Sequence, residues 1–463
     1  MVLISPFYRI CTLALLLLVA TGASGQQFPG MSGRYPPGIS MVTQNPAWIN
    51  TANGHTEIHL FSASGMAGTN AFAFSKDWFD AGMGPANEDI DYQKNFRTRK
   101  NRHIWGNIDV LGPAVSIPLR NRQQAGIYTR MRQVVRGGNI DGGGSMLIGG
   151  IDSRQQFPDT FSFEDAGFST HVFGEIGLTY GRVLSDDYYH KMKAGVTVKY
   201  LMGMSAGSLY TPSTEVRMNT PDSLNGVSGD ITALYSTNIA PFADNDFNND
   251  ISSWFDKAGG GGIGFDIGIQ YEFHPNGNPN GETEYLYRLS AAITDIGSIA
   301  YKTDTSAGIF AFNVNNARYD VINRRPEEGF AQYTSRLERD SLVLRKDSLE
   351  SFRMGLPTAL RLQGDALIAP NFYVGANILL NLKGNSGDAY KPAYVNMLNF
   401  TPRFENRWLM IGVPFTFWGY QTLSTGLALR LGPLYLGSNA LFSHLISKQI
   451  KNLDGYVGLA VRL

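Results

Sequence analysis

Twelve consecutive residues, Gly262-Ile263-Gly264-Phe265-Asp266-Ile267-Gly268-Ile269-Gln270-Tyr271-Glu272-Phe273, constrain this chain more than any other stretch. Every odd position is large and apolar. Every even position is Gly, Asp, Gln or Glu. A period of two describes a strand with one greasy and one polar face. In a soluble sandwich the greasy face is the core. In a membrane barrel it meets lipid, and the polar face meets the lumen.

The pattern recurs to the last residue. Met192, Ala194, Val196, Val198, Tyr200 and Met202 alternate with Lys191, Lys193, Gly195, Thr197, Lys199 and Gly203. Val172, Ile176, Leu178 and Tyr180 alternate with Glu175, Gly177, Thr179 and Gly181. Tyr287, Leu289, Ala291 and Ile293 alternate with Arg288, Ser290, Ala292 and Thr294. Leu360 and Leu362 alternate with Arg361, Gln363 and Asp365, and Leu427, Leu429 and Leu431 with Ala428 and Arg430. Thr56 to Ser75 reads as one long strand or two.

The spacers decide between the architectures. Short ones fall near 121–123, 185–189, 369–371, 405–407 and 432–433. Long ones fall near 77–102, 137–170, 205–259, 301–352, 383–391 and 443–454. Alternating short and long connections are the mark of a transmembrane barrel with short turns at one rim. The spacer 274–283 is longer than its class but rich in Gly, Pro and Asn, as turns are. The expectation is an all-β, closed antiparallel transmembrane β-barrel of about 14 strands, within a range of 12 to 16. Closure has a simple cause: an open edge would leave backbone N–H and C=O groups unpaired in hydrocarbon. Tyr271, Phe273, Tyr285, Tyr287, Trp105 and Trp408 lie near strand ends, where interfacial aromatic girdles sit.

Residues 1–25 read as a secretory signal: Arg9, an apolar run from Leu13 to Ala20, then Ala23-Ser24-Gly25. Cys11, the single cysteine, leaves with it, so no disulfide framework is expected. Without Arg9, 38 basic residues face 39 acidic ones. That balance gives no reason to expect nucleic acid as a partner. The expected organisation is a signal peptide at 1–25, an N-terminal segment at 26–55 and the barrel at 56–463.

Two segments resemble a family of uncharacterised Bacteroidota outer-membrane barrels. They are Leu431-Gly432-Pro433-Leu434-Tyr435-Leu436-Gly437-Ser438-Asn439 and Ile293-Thr294-Asp295-Ile296-Gly297-Ser298-Ile299. Gly195-Val196-Thr197-Val198-Lys199-Tyr200-Leu201 also fits it. That resemblance implies fold and location, with no assigned activity. Gln44-Asn45-Pro46-Ala47-Trp48 is similar to a segment of the long-chain fatty-acid transporter family and of type IX secretion barrels. There the segment lies inside the barrel as a small plug, which would place Asn45, Pro46 and Ala47 in the lumen. The likeness stops at Trp48-Ile49-Asn50, where those families usually carry Gly-Leu.

Chemistry is sparse. The seven histidines are scattered; His55 and His59 alone have a spacing that puts two on one strand face. No Walker loop occurs. Asp244 to Asp250 spaces oxygens like a calcium loop, but lacks its Gly and its final acid, with Phe255 in that place. The charged run Arg336 to Glu350 fits a short helix or a solvated loop tip. No cofactor, metal site or catalytic set is expected, and the chain is not read as an enzyme.

A transport or channel barrel for small or hydrophobic solutes is the first functional reading. Glu175, Lys193, Lys199, Asp266, Gln270, Glu272 and Arg430 would line its lumen, with Gly181, Gly203, Gly264 and Gly268 keeping the wall slim. The alternative is a structural or assembly barrel that anchors an envelope or secretion complex. Either sits in the outer membrane of a Gram-negative bacterium. Its partners would be outer-membrane lipid, the barrel assembly machinery during insertion and other envelope proteins.

Overall fold

A computed structural model of the chain describes residues 38–49, 55–70, 72–77, 92–94, 102–120, 122–140, 160–220, 223–237, 259–277, 284–322, 328, 330–383, 391–419 and 422–462. The proposed signal and the Asp244–Asp250 run lie outside them. Among the described residues no helix is long and apolar enough to cross a membrane, which says nothing of strands.

Fourteen wall strands close antiparallel on themselves. They are β1 (Glu57–Thr69), β2 (Arg102–Leu119), β3 (Gln123–Ile140), β4 (Thr160–Asp186), β5 (His190–Thr220), β6 (Gly260–Phe273) and β7 (Tyr287–Lys302). Then come β8 (Ser351–Gly355 continued by Ala359–Ala369), β9 (Phe372–Asn381) and β10 (Met397–Glu405). The last are β11 (Leu409–Gly412 with Phe415–Trp418), β12 (Thr422–Thr425 with Leu427–Leu431), β13 (Leu434–Ser438) and β14 (Asn452–Arg462). Each pairs with its chain neighbour in the wall, and β1 closes on β14 with Glu57 opposite Arg462. The even count puts both ends of the wall at the short-turn rim.

Polarity is inverted relative to a soluble core. On β6, Ile263, Phe265, Ile267 and Ile269 are 47–59% exposed, while Asp266 and Gln270 are 1% and 3% exposed. The same alternation holds on β5, where Val196, Val198 and Tyr200 face out and Lys193, Thr197 and Lys199 face in. An apolar belt around a polar interior is what hydrocarbon requires of a barrel. Replacing Ile267 by Arg should therefore cost about 2–4 kcal/mol in a bilayer, the depth-dependent cost of a charge near the midplane. Urea unfolding in lipid vesicles measures it; an unchanged midpoint would place the belt outside hydrocarbon.

The structure corrects the expected layout, or decides between its alternatives, in five places. The stretches 137–170, 205–259 and 301–352 are not simple loops. β4 and β5 run 27 and 31 residues, beyond what the membrane needs; they stay paired there, and β5 also pairs with Ser223–Tyr235. Gly308–Phe312 and Val314–Arg318 join that sheet over a core of Phe161, Val216, Met218, Leu224, Val227 and Val314. This apolar packing lets the strands continue outside the bilayer. Second, only residues 419–421 separate β11 from β12 on the long-loop rim. Third, Thr56–Ser75 is two strands: Phe72–Ser75 leaves the wall for a small sheet with Tyr92–Lys94 and Gln449–Ile450. Fourth, the charged run divides into a helix, Phe330–Arg339, and a strand, Val343–Asp347, tied by the Arg345–Glu338 pair at 2.7 Å.

Fifth, the aromatic set splits. Tyr271, Phe273 and Tyr287 form an outer girdle at the short-turn rim, with Phe273 stacked on Tyr287 at 5.2 Å and Trp408 71% exposed. Tyr285 and Trp105 instead point inward and are 4% exposed. Trp105 lies over Gly68, where any Cβ would collide with its ring. Tyr285 donates to Asp365.

Candidate functional site

The interior is stacked in layers, each set by the parity of the strands. At the short-turn mouth Lys193 reaches Glu272 at 3.0 Å, and Gln270 donates to the same carboxylate. Across the barrel Arg403 holds Asp365 in a fork of two 2.7 Å bonds and Glu405 at 2.9 Å. Arg430 pins the adjoining turn by donating to the carbonyls of Arg407 (3.0 Å) and Asn406 (2.6 Å).

Next lies the segment 38–49, a one-turn helix Gly38–Met41 followed by a 3-10 turn Pro46–Ile49. Its residues are buried within the barrel, apart from the half-buried Trp48. Asn45 donates from Nδ2 to the carbonyls of Ile269 (3.1 Å) and Ala291 (3.4 Å), and its Oδ1 accepts from the Ala47 N–H at 2.9 Å. The floor under it is a row of small residues, Gly181, Gly195, Gly268 and Ala292, paired across β4 to β7. A Cβ on Gly195 would overlap the Pro46 backbone, and one on Gly268 would overlap the Asn45 amide. Elsewhere the segment is tied by Ile39 N–H to Glu57 (3.0 Å), Ser40 to His59 (2.9 Å) and Trp48 Nε1 to Ser290 (3.2 Å). His59 thus serves this segment. Among the described residues no group of three or more His, Cys, Asp or Glu could hold a metal.

Above the segment sits a buried ionic layer. Lys199 reaches Asp295 at 2.7 Å and Asp266 at 2.8 Å. Arg132 reaches Asp295 at 2.8 Å and Glu175 at 3.6 Å, and Arg130 bridges Glu175 (2.9 Å) and Asp109. Tyr394, on the stretch leading into β10, donates to Asp295 at 3.0 Å and also contacts Arg132. Arg361 donates to Thr294 at 3.0 Å. Three cations (Arg130, Arg132, Lys199) pair with four anions (Asp109, Glu175, Asp266, Asp295), each at most 6% exposed, and Arg361 lies beside them over the Tyr394 ring. Buried charges survive only when paired and hydrogen-bonded.

Asp295 reaches this layer through a bulge. The β6–β7 register slips between Ile293 and Ile296, with Asp295 at φ 62° and Gly297 at φ 149°. The slip turns both Thr294 and Asp295 inward, although strict alternation would send one of them to lipid. The Asp-Ile-Gly word picked out in the sequence is this bulge. On the outer side an apolar layer follows, with Leu201, Ile299, Tyr301, Phe352 and Met354 packed together and Tyr301 lying over Gly203.

All seven residues expected in the lumen face inward, and Asn45, Pro46 and Ala47 are buried beside them. The structure differs from a slim, wet bore in what these groups do. They bond to one another, and the space left by Gly203, Gly264 and Gly268 is taken by Tyr301, Leu356 and Asn45. Sequence reasoning missed Asp295, Tyr394, Arg130 and Arg132. The pattern Arg130-Met131-Arg132 carried a visible period-two signal; Tyr394 lies outside any strand and carried none.

No curated protein matches the chain in sequence. Among solved structures it is similar to the toluene transporter TodX of Pseudomonas putida (9% identity, 93% of this chain and 99% of that one, TM-score 0.41). It is also similar to the toluene transporter TbuX of Ralstonia pickettii (11%, 96% and 100%, 0.39). A third likeness is to the translocator domain of the autotransporter NalP from Neisseria meningitidis (8%, 88% and 88%, 0.32). A sequence profile matches residues 46–439, from the Pro-Ala turn of the inner segment to Asn439 just past β13, and by that match the chain belongs to the family of unknown function DUF5723.

Proposed function

We propose that this protein is an outer-membrane barrel of a Gram-negative bacterium that passes a small or hydrophobic solute, with segment 38–49 as its inner plug. The observation that supports this reading is the way the short-turn end of the lumen is filled. It is occupied by a piece of chain that belongs to no wall strand and rests on wall glycines, with hydrogen bonds to the Ile269 and Ala291 carbonyls and to Ser290. The segment is also seated by apolar packing: Ile39, Val42 and Ile49 lie against Leu111, Ala114 and Tyr128, and Met41 against Met410 and Tyr435. Arg288, at 11% side-chain exposure and 5.6 Å over the Trp48 ring, puts a solvent-touching polar group beside the segment. No catalytic step enters this reading.

The ionic layer favours a second reading, a filled barrel that anchors an envelope complex. Proteoliposomes separate the two. Loaded with sugars of graded size or with an apolar dye, vesicles carrying the intact protein should release at least one solute faster than empty vesicles. Retention of every solute, with the protein correctly inserted, would overturn transport and leave the anchor.

A further inference from the structure

On the outer face of β6 to β9 lies a hollow of about 430 Å³. Its floor is Ala291, Gly364 and Ala376, and its walls include Ile269, Leu362 and Ile378. The pairings explain the shape. Ala291 sits between Ile269 and Leu362 across three strands, and Gly364 sits beside Ala376 with Leu289 on its other side. Three small side chains in a belt of Ile and Leu leave a depression. A Cβ at Gly364 would meet only the Leu289 side chain, at 3.5 Å, so nothing in the barrel fills it.

The geometry points to a binding site for one acyl chain of a phospholipid in the leaflet at the short-turn rim. The hollow is continuous with the apolar belt that faces hydrocarbon, and its lining is uncharged. Towards the short turns it gives onto Tyr271, Tyr287 and Phe273, with His190 bonded to the Tyr271 hydroxyl at 2.6 Å. Such an aromatic and polar ledge marks headgroup depth. A chain lying in the hollow would therefore have its headgroup at the ledge. A second copy of the protein is a poorer occupant, because a stable pair buries about 1,200 Å² or more, far beyond a depression this small. Each methylene that exchanges loose bilayer contacts for a fitted wall gains dispersion contacts on both sides.

This site rests on the membrane placement proposed above, and the test keeps the two apart. The intact protein is inserted into vesicles of phosphatidylethanolamine and phosphatidylglycerol, doped with phosphatidylethanolamine carrying a diazirine on one acyl chain. After illumination, adducts are mapped by mass spectrometry. We expect adducts on peptides 287–291 and 360–378 at least fivefold above those on the opposite belt around Phe415, Phe417 and Leu459. In the double variant Gly364→Leu with Ala376→Leu that excess should vanish while the rest of the belt labels as before. Equal labelling around the belt in the unaltered protein overturns the site, as does a cross-linked dimer that shields it. Absence of adducts everywhere would overturn the membrane placement itself. The wild-type map decides the matter even if the filled variant does not insert.

Discussion

The Asp295→Asn barrel is expected to be about 3 kcal/mol less stable than the natural one, the low end of what removing one partner of a buried ion pair costs. Asn is close in size to Asp and tolerates the left-handed φ of 62°, so the backbone bulge survives and the charge alone is lost. Arg132 and Lys199 would then share too few anions: Lys199 keeps Asp266 at 2.8 Å, and Arg132 keeps Glu175 only at 3.6 Å. Urea midpoints in lipid vesicles measure the effect. Asp230→Asn is the control, since its pair with Lys346 is exposed and should be worth less than about 1 kcal/mol. A second variant, Lys199→Met, should combine with Asp295→Asn at less than the summed cost, because each removes the other's unpaired charge. Simple additivity would mean that the layer is not a coupled unit.

Gly195→Val and Gly268→Val should each free segment 38–49 from the wall. The added carbons would overlap the Pro46 backbone and the Asn45 amide, neither of which can rotate away within the tight Asn-Pro-Ala turn. Overpacking of this kind costs about 1–3 kcal/mol. At tenfold per 1.4 kcal/mol, the undocked population should rise by roughly 5- to 140-fold. Protease added at the short-turn side should then cut within 38–49 faster by that factor, while the wall strands stay resistant. Gly261→Val, whose Cβ meets nothing within 4 Å, should leave cleavage unchanged. An unaltered rate in both inner variants would show that the segment is not seated on this shelf.

What could be read from the sequence and what could not divide along a physical line. Asp266, Lys199 and Glu175 were legible because each sits on a strand whose alternation is unbroken through the site. Asp295 was not, because one bulge between Ile293 and Ile296 reverses parity, and a bulge is a local backbone event that hydrophobic period does not encode. Asn45-Pro46-Ala47 was recognisable as a turn and a resemblance. Its floor was not, since Gly195 and Gly268 lie 150 residues and more along the chain and meet it only after the barrel closes. The spacers 137–170 and 205–259 misled for a related reason. Phe161, Val216 and Leu224 lack the clean alternation of a lipid-facing strand because their sheet has its own apolar core outside the bilayer. Trp105 and Tyr285 read as girdle residues by position along the strand, yet inward parity buries them.

Everything here depends on which side of the wall meets hydrocarbon. Single cysteines placed in turn at 263, 265, 267 and 269 of a Cys11→Ser chain, spin-labelled and inserted in vesicles, test it directly by paramagnetic accessibility. Labels at all four should collide readily with oxygen and hardly at all with a water-soluble nickel chelate. Ready access of the nickel reagent to the odd positions would contradict the account.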